Sequence, residues 1–517
     1  MPFAQSVDFV AIAPPLLVLL TAVAVLLADL FASRARRNVG PAIAVAGLFA
    51  AGAVAAAMAA GALSPTGTSA SAAGPRRTFC IPDAGCSYVA DDFALLLQAL
   101  LALSAAVVVL MAQPAVREQR LPTGEFHFLL LSSVTGMLLL PASRDLLMLL
   151  LALEVVSIPG FVLAGLRRTD PRSSESALKF FLVSVLSVAV MLYGMSLVYG
   201  LTGTLELTGI AAALEQPGTR LPLTGAAVTL VLVGFAFKIS AVPFHFWAPD
   251  TYAGAPLPIA AFLSTASKAA GFAGLLTVLF IAFRPYADVW GPVLAVLAVA
   301  SMTLGNLVAL RQQSVVRLLA WSSVAQAGYM LVPLGAITDA TSDPEMDAAL
   351  AATLAYLGIY AAMNLGAFAC VVAVGRRRPR NALEDYRGLA RTSPLLAVVL
   401  ALFLAALAGL PPGLAGLFAK VVVFNAAVDA GAGWLAVIMA LNTVIALFYY
   451  LRLAAVLFVG RDEAAGVPAA PDGRTSAWPA LPTALTGAIA VTAAVTVVLS
   501  VAPQLLLQLA PLATLAR

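Results

Sequence analysis

Charge is what this sequence lacks most. Of its 517 residues only 10% are charged and 62% are hydrophobic. A soluble domain carries about 25% charged residues, so a water-soluble globule of this size is excluded. Cysteine is scarce too, and three residues are too few for a disulfide framework. The two histidines, His127 and His245, fall in different apolar stretches and give little basis for a haem or metal centre. No dinucleotide fingerprint, P-loop or CxxC occurs. Redox chemistry and nucleotide hydrolysis are therefore not expected of this chain. The N-terminus MPFAQSVDFV lacks the basic start of a cleavable signal, so Phe9 to Leu30 reads as a retained span.

What the sequence has is a succession of apolar runs, each near the ~20 residues that cross a bilayer as a helix. Fourteen spans are expected, at 9–32, 40–62, 90–113, 124–141, 144–166, 173–201, 223–252, 257–282, 289–310, 315–337, 346–375, 394–430, 433–459 and 478–510. The fold class is an all-α polytopic membrane protein. Arginine placement fits that count. With the loop holding Arg34, Arg36 and Arg37 in the cytoplasm, 19 of 25 arginines fall in cytoplasmic loops. Arg76, Arg77, Arg144, Arg220, Arg284 and Arg517 remain outside. This is the positive-inside bias, and an even count puts both termini on the exterior side. The loop 63–89 then faces outward. Its Cys80 and Cys86 are either a local disulfide or two thiols, because spacing alone does not fix geometry. Cys370, inside a span, reads as a small apolar filler.

Two spans look overlong and carry prolines, Pro243 and Pro249 in the seventh and Pro411–Pro412 in the twelfth. Spans four to eight and nine to thirteen form two five-helix blocks, each with a proline-broken fourth helix that carries a lysine. An odd helix number inverts the second copy, and inverted repeats with broken helices mark transporters. The expected division is 1–123 for three helices, 124–288 and 289–460 for the two repeats, and 461–517 for a loop and the last helix.

Lysine is rarer still. There are four, Lys179, Lys238, Lys268 and Lys420, and every other cation is arginine. Arginine stays charged in nearly any protein setting, whereas a desolvated lysine gives up its proton readily. A site that gains and loses protons can use lysine. Lys238, Lys268 and Lys420 lie well inside apolar spans, where a charge costs roughly 2.5–3.5 kcal/mol on insertion scales. Function is the default reading of such groups, against a snorkelling or purely structural role. Lys179 is different. It lies in the second turn of its helix, four residues after Glu175, and a surface ion pair is an equal reading.

Glu154, near the middle of LLALEVVSIPGF, is the matching acid, with Lys238 as its expected partner. Separating the pair would favour proton transfer from one group to the other. Lys238 precedes Pro243 by five residues and Lys420 follows Pro412 by eight. Proline frees carbonyls, which are tolerated at membrane depth where water or protein satisfies them. The stretch GLPPG formally matches GxxxG, but its prolines make helix-dimer packing a poor reading. His245, just past Pro243, is either a titrating group or a hydrogen-bonded structural residue. Asp145 and Asp250 read as interface residues or caps.

The stretches LLALEVVSIPGFVLAGLRR, SSESALKFFLVSVLSVAVMLYG, GFAFKISAVPFHFWAPDTYAGAP, AFLSTASKAAGF, VVRLLAWSSVAQAGYML and GLPPGLAGLFAKVVVF together resemble the antiporter-like membrane subunits of the proton-pumping NADH:quinone oxidoreductase, respiratory complex I. The resemblance covers about residues 140 to 460. Within that family the chain is most similar to the N type, by Lys420 where the M type usually has glutamate, by SALKFF and FHFWAPDTYAGAP, and by the missing lateral helix of the L type. The resemblance implies that Glu154 and Lys238 form the acid–lysine pair, Lys268 is the central relay and Lys420 the terminal lysine. Gln326 departs from the pattern, since many members have histidine there and an amide does not take up a proton.

The same resemblance implies a proton-translocating subunit without a redox centre or cofactor of its own, in a bacterial cell membrane. FMN, iron–sulfur clusters and quinone would belong to other subunits. Neighbours would be subunit M and small subunits such as K and J. Protons would pass from the cytoplasm near Lys238 through Lys268 and leave from Lys420. Two alternatives stand beside this: a subunit of a multi-subunit sodium/proton antiporter, and a membrane-arm scaffold whose buried charges are structural.

Overall fold

The computed structural model describes residues 7–31, 39–61, 74–81, 85–216, 218–219, 221–338, 343–460, 480–510 and 515. Arg34, Arg36, Arg37, Arg220, Arg461, Arg474 and Arg517 of the arginine pattern lie outside the described residues. The chain begins with α1 (Ala13–Phe31) and α2 (Val39–Ala59), then a hairpin of β1 (Arg76–Ile81) and β2 (Gly85–Ala90). There follow α3 (Asp92–Glu118), α4 (Thr123–Leu139), α5 (Leu146–Ala164), α6 (Pro171–Thr202), α7 (Leu207–Leu214), α8 (Pro222–Lys238), α9 (Trp247–Gly254), α10 (Leu257–Phe262) and α11 (Lys268–Thr277). The second half holds α12 (Ala287–Leu310), α13 (Val315–Gly335), α14 (Asp343–Gly375), α15 (Leu389–Thr392), α16 (Pro394–Ala408), α17 (Leu414–Asp429), α18 (Gly433–Phe458), α19 (Thr483–Val501) and α20 (Gln504–Leu507).

Among the described residues, 12 helical stretches are long and apolar enough to cross a membrane. Two further apolar helices, α8 and α16, are shorter. At 17 residues, α8 is about 25 Å long, less than a ~30 Å hydrocarbon core. The expected spans 223–252 and 394–430 are each two helices with a break between them. The stretch α10–α11 and the apolar part of helix α14 are buried, as is nearly all of α13. Around them the outer helices present apolar side chains outward, among them Leu151, Ile158, Leu182, Leu186, Val444 and Phe448. An apolar exterior wrapped around a polar-bearing centre suits lipid as the solvent.

Both breaks begin the same way. Helix α8 stops where Ser240 takes a left-handed φ of +62°. There the Ala241 N–H donates to Ala236 O at 2.8 Å and the Ser240 N–H to Phe237 O at 3.0 Å. Helix α16 stops at Gly409, φ +83°, with Leu410 N–H on Ala405 O at 2.9 Å and Gly409 N–H on Ala406 O at 3.0 Å. Both are Schellman endings, which turn the chain out of the helix. The prolines that follow, Pro243 and Pro411–Pro412, cannot resume it.

The hairpin in the expected outer loop carried no strand signal in the sequence. Its strands pair antiparallel with Cys80 opposite Cys86, and these two form a disulfide. Arg76 binds Asp8 at 2.9 Å, and the Ser87 carbonyl accepts from the Arg144 N–H at 2.8 Å. Arg144, one of the arginines read as exterior, is 2% exposed, ion-paired to Asp91 and donating to the carbonyls of Pro141 and Ser143. Asp145 does cap α5, accepting from Met148 N–H at 2.7 Å. Cys370 is a buried free thiol.

Candidate functional site: three buried lysines at two helix breaks

Lys238 is the last residue of α8 and is 2% exposed. Its Nζ donates to Ser157 Oγ at 2.9 Å, and that hydroxyl donates on to Leu153 O at 2.7 Å. Ser157 stands three residues after Glu154 on α5, so both lie on one face. A direct Glu154–Lys238 contact was the expectation, and the structure corrects it. Among the described residues no ion pair joins the two. The lysine takes the serine one turn along, while Glu154 Oε1 is buried without a hydrogen-bond partner. The two charges remain within electrostatic reach. Helix α11 passes tightly over Lys238: a Cβ on Gly271 would stand 2.9 Å from Lys238 Cγ. Gly271 follows Lys268 by three positions, so the face that covers Lys238 also carries Lys268.

Lys268, 1% exposed, opens α11 immediately after a π turn, Leu263–Ser267. Its Nζ donates to the carbonyl and, at 2.7 Å, to the hydroxyl of Ser323 on α13. The Tyr252 hydroxyl of α9 lies beside Ser240 and Ser323 without closing a hydrogen bond to either. Ser240 Oγ and Thr251 Oγ1 are likewise buried and unpartnered. A run of polar atoms thus extends from the first break to Lys268.

Lys420, on α17, reaches back across the second break. Its Nζ donates to Ala408 O at 2.7 Å and to Leu407 O at 3.2 Å. These are the last carbonyls of α16, the negative end of that helix, where a cation is favoured. The same ammonium stands 5.6 Å from the Tyr329 ring centroid. Gln326 sits between the lysines. Its Oε1 accepts from Tyr356 OH at 2.6 Å, and its Nε2 donates to Tyr450 OH at 3.2 Å and Leu407 O at 3.5 Å. Tyr450 also bonds Ser322, the chain neighbour of Ser323. One polar seam therefore runs Lys268, Ser323, Ser322, Tyr450, Gln326, Leu407 O, Lys420.

Lys179 lies apart from that seam. Its side chain is 47% exposed and pairs with Glu175 at 2.8 Å, the surface pair that was one of its two readings, and with Asp250 at 2.9 Å. Asp250 is no cap; it also binds Arg317 at 2.9 Å. These residues line a cleft of about 610 Å³ together with Arg167 and Arg172. Arg167 closes the C-terminus of α9 through the carbonyls of Gly254 and Ala255. None of the three buried lysines lines this cleft. His245 is buried in the first break beside Phe246 and Trp321, with Nδ1 unpartnered. His127 holds Thr123 O through Nδ1 at 2.7 Å, a structural bond.

Ser157, Ser323, Tyr356 and Tyr450 had not been singled out from the sequence. The signal for Ser157 was its spacing from Glu154. For Tyr356 it was the four-residue stripe Tyr356, Tyr360, Asn364 on one apolar helix. Ser323 and Tyr450 had no local signal, because only packing brings their helices to the lysines.

Residues 143–446 match the family described as NADH:quinone oxidoreductase/Mrp antiporter, transmembrane. The chain is 53% identical, over 98% of its length and 94% of the relative's, to NADH-quinone oxidoreductase subunit N 2 of Streptomyces griseus. It is 49% identical to NADH-quinone oxidoreductase subunit N of Salinispora tropica, over 91% of this chain and 89% of that one. Among solved structures, a chain of respiratory complex I from Thermus thermophilus with bound aureothin superposes with a TM-score of 0.73 at 31% identity, covering 96% of this chain and 98% of that one. A chain of the Mrp complex from Dietzia gives a TM-score of 0.81 at 22% identity, covering 98% and 97%, a likeness of fold. The chain belongs to the NADH:quinone oxidoreductase/Mrp antiporter family and, within it, to the subunit N group of the complex I membrane arm.

Proposed function

We propose that this chain moves protons from the cytoplasm to the exterior as a membrane-arm subunit of NADH:quinone oxidoreductase. Uptake is near Lys238, relay is through Lys268 and release is from Lys420. The observation that carries the reading is the seam: three buried lysines, each bonded to hydroxyls or carbonyls, two of them linked by a row of polar groups in which Ser323 and Ser322 adjoin along the chain and the Leu407 carbonyl accepts from both Gln326 and Lys420. Lysine is the cation that can empty and refill in such a place. Hydroxyls of serine and tyrosine accept and donate at once, so they pass a proton without holding a charge. Gln326 orients its neighbours and is not itself a carrier, since its amide has no titrating proton near neutral pH.

Electrons would travel elsewhere. FMN, iron–sulfur clusters and quinone belong to other subunits of the complex, and the chain's part in the translocase is the proton step. Glu154, half-buried on α5 with a free oxygen, is the group through which a neighbouring charge would act on Lys238. Subunits M, K and J are the proposed neighbours, and the likeness to an Mrp chain at 22% identity carries the fold without the sodium/proton antiport.

The test is proton yield per electron in the reconstituted complex. Lys238→Ala and Lys420→Ala complexes should assemble, oxidise NADH and deliver fewer protons. Normal stoichiometry in both would end the proposal. Loss of assembly without any change of stoichiometry in the complexes that form would favour the scaffold.

A further inference from the structure

Lys268 owes its direction to a π turn, and that turn is held from outside its own helix. The turn Leu263–Ser267 ends where Lys268 begins. A π turn has i→i+5 bonding and accommodates one extra residue. Moving it along the helix would rotate the residues it passes by about 100°, one helical position. Lys268 would then leave Ser323. Something must fix the turn in place, and two side chains of α14 do so. Asn364 Nδ2 donates to Ser264 Oγ at 2.8 Å and to Thr265 Oγ1 at 2.9 Å. Tyr360 OH donates to Ser264 O at 3.1 Å. Tyr360 and Asn364 are four residues apart and share one face in the buried part of α14.

We propose that Asn364 and Tyr360 are positioning residues that lock the π turn and thereby aim Lys268 at Ser323. The chemistry suits the task. The Ser264 carbonyl and the two hydroxyls are buried, and leaving such acceptors unmade costs more than an average hydrogen bond contributes. Both α14 side chains are themselves buried, so water does not replace them cheaply. Asn364 Oδ1 has no hydrogen-bond partner, so the amide is held by its donor side alone. The same helix face continues to Tyr356, which binds Gln326. One rigid element thus fixes both the relay lysine and the amide midway to Lys420. The ionisable groups around Lys268 are Tyr252 of α9 and Tyr360 of α14, both beside Ser323, and Lys238 of α8 under Gly271.

This inference rests on the proposed proton route, and the experiment separates the two. Asn364→Leu and Tyr360→Phe are made in the intact complex; the second keeps volume, so assembly survives if the first does not fold. Three quantities are read: amide exchange across 261–272, protons per electron, and the pH profile of pumping. Exchange across 261–272 should rise about fivefold, the equilibrium shift for losing one such hydrogen bond. Proton yield should fall and the pH profile be displaced while NADH oxidation remains. Unchanged exchange and an unchanged profile in both variants overturn the clamp. If Lys268→Ala pumps normally, the route fails, and the exchange data still decide whether the clamp exists.

Discussion

The two helix breaks look alike in sequence and are built differently. At the first, Lys238 ends the half-helix and points away to α5, meeting a single hydroxyl on Ser157. At the second, Lys420 follows the break and folds back on the helix end it came from, meeting two carbonyls. Packing differs in the same sense. A Cβ on Gly416 would stand 1.7 Å from Ala406 O, backbone against backbone. On Gly271 it would meet the Lys238 side chain at 2.9 Å. Backbone cannot give way and a lysine stem can. The turns differ too, with left-handed Ser240 at the first and Gly409 at the second. The first break is adaptable and the second is fixed, which suits a lysine that responds to Glu154 at one end and a defined release point at the other.

The largest expected effect tests that packing. Gly416→Ala should destabilise the complex by about 3 kcal/mol, the upper end for overpacking, and Gly271→Ala by about 1 kcal/mol. Thermal unfolding of the purified complex reads both, and equal losses would break the comparison. Next come the lysines. Lys420→Met strands Ala408 O, whereas after Lys238→Met the Ser157 hydroxyl still has Leu153 O. Lys420→Met should therefore cost about 2 kcal/mol more, the penalty of an unmade buried acceptor. A larger loss at Lys238 would reverse the assignment of fixed and adaptable.

The turns sharpen the contrast by exchange. Ser240→Gly should stabilise by about 1 kcal/mol, by removing a left-handed side chain whose hydroxyl has no partner. Gly409→Ser should cost about as much. Melting shifts of the same sign would show that the two turns are not equivalent. The smallest effect is a control away from both breaks. Burial raises the Asp8 carboxyl, but Arg76 and the N–H groups of Ala11 and Val10 outweigh it and hold it below the usual range. Its contribution is full above the unfolded value of about 4 and fades as pH falls through the lower folded value. Below that pH, amide exchange over residues 8–16 should match that of Asp8→Asn, with both breaks unchanged.

How much was legible beforehand follows the reach of each signal. The long spans α14 and α3 were plain, because a run of apolar residues declares itself locally. So were the proline breaks, because Pro243 and Pro411–Pro412 fall in overlong spans and each removes a helical N–H, whereas Pro159 and Pro333 lie inside helices that continue. The cysteine hairpin was half legible: two cysteines six apart allow a disulfide, but strand pairing had to set them opposite. The burial of Arg144 was not legible, because an arginine between two spans looks like a loop residue until Asp91 is brought to it.

The rarity of lysine and the depth of Lys238, Lys268 and Lys420 in apolar runs were thus set by the chain alone, since hydropathy and composition need no partner. The family follows from the same residues. What only tertiary structure decided is where each ammonium points. Lys238 takes Ser157 before Glu154, Lys268 takes Ser323, and Lys420 takes the carbonyls of its own broken helix. A lysine carries four rotatable carbons and three donors. Its sequence position sets the depth of the charge in the membrane. Its direction depends on which acceptors the neighbouring helices present, and those helices are far apart in the chain.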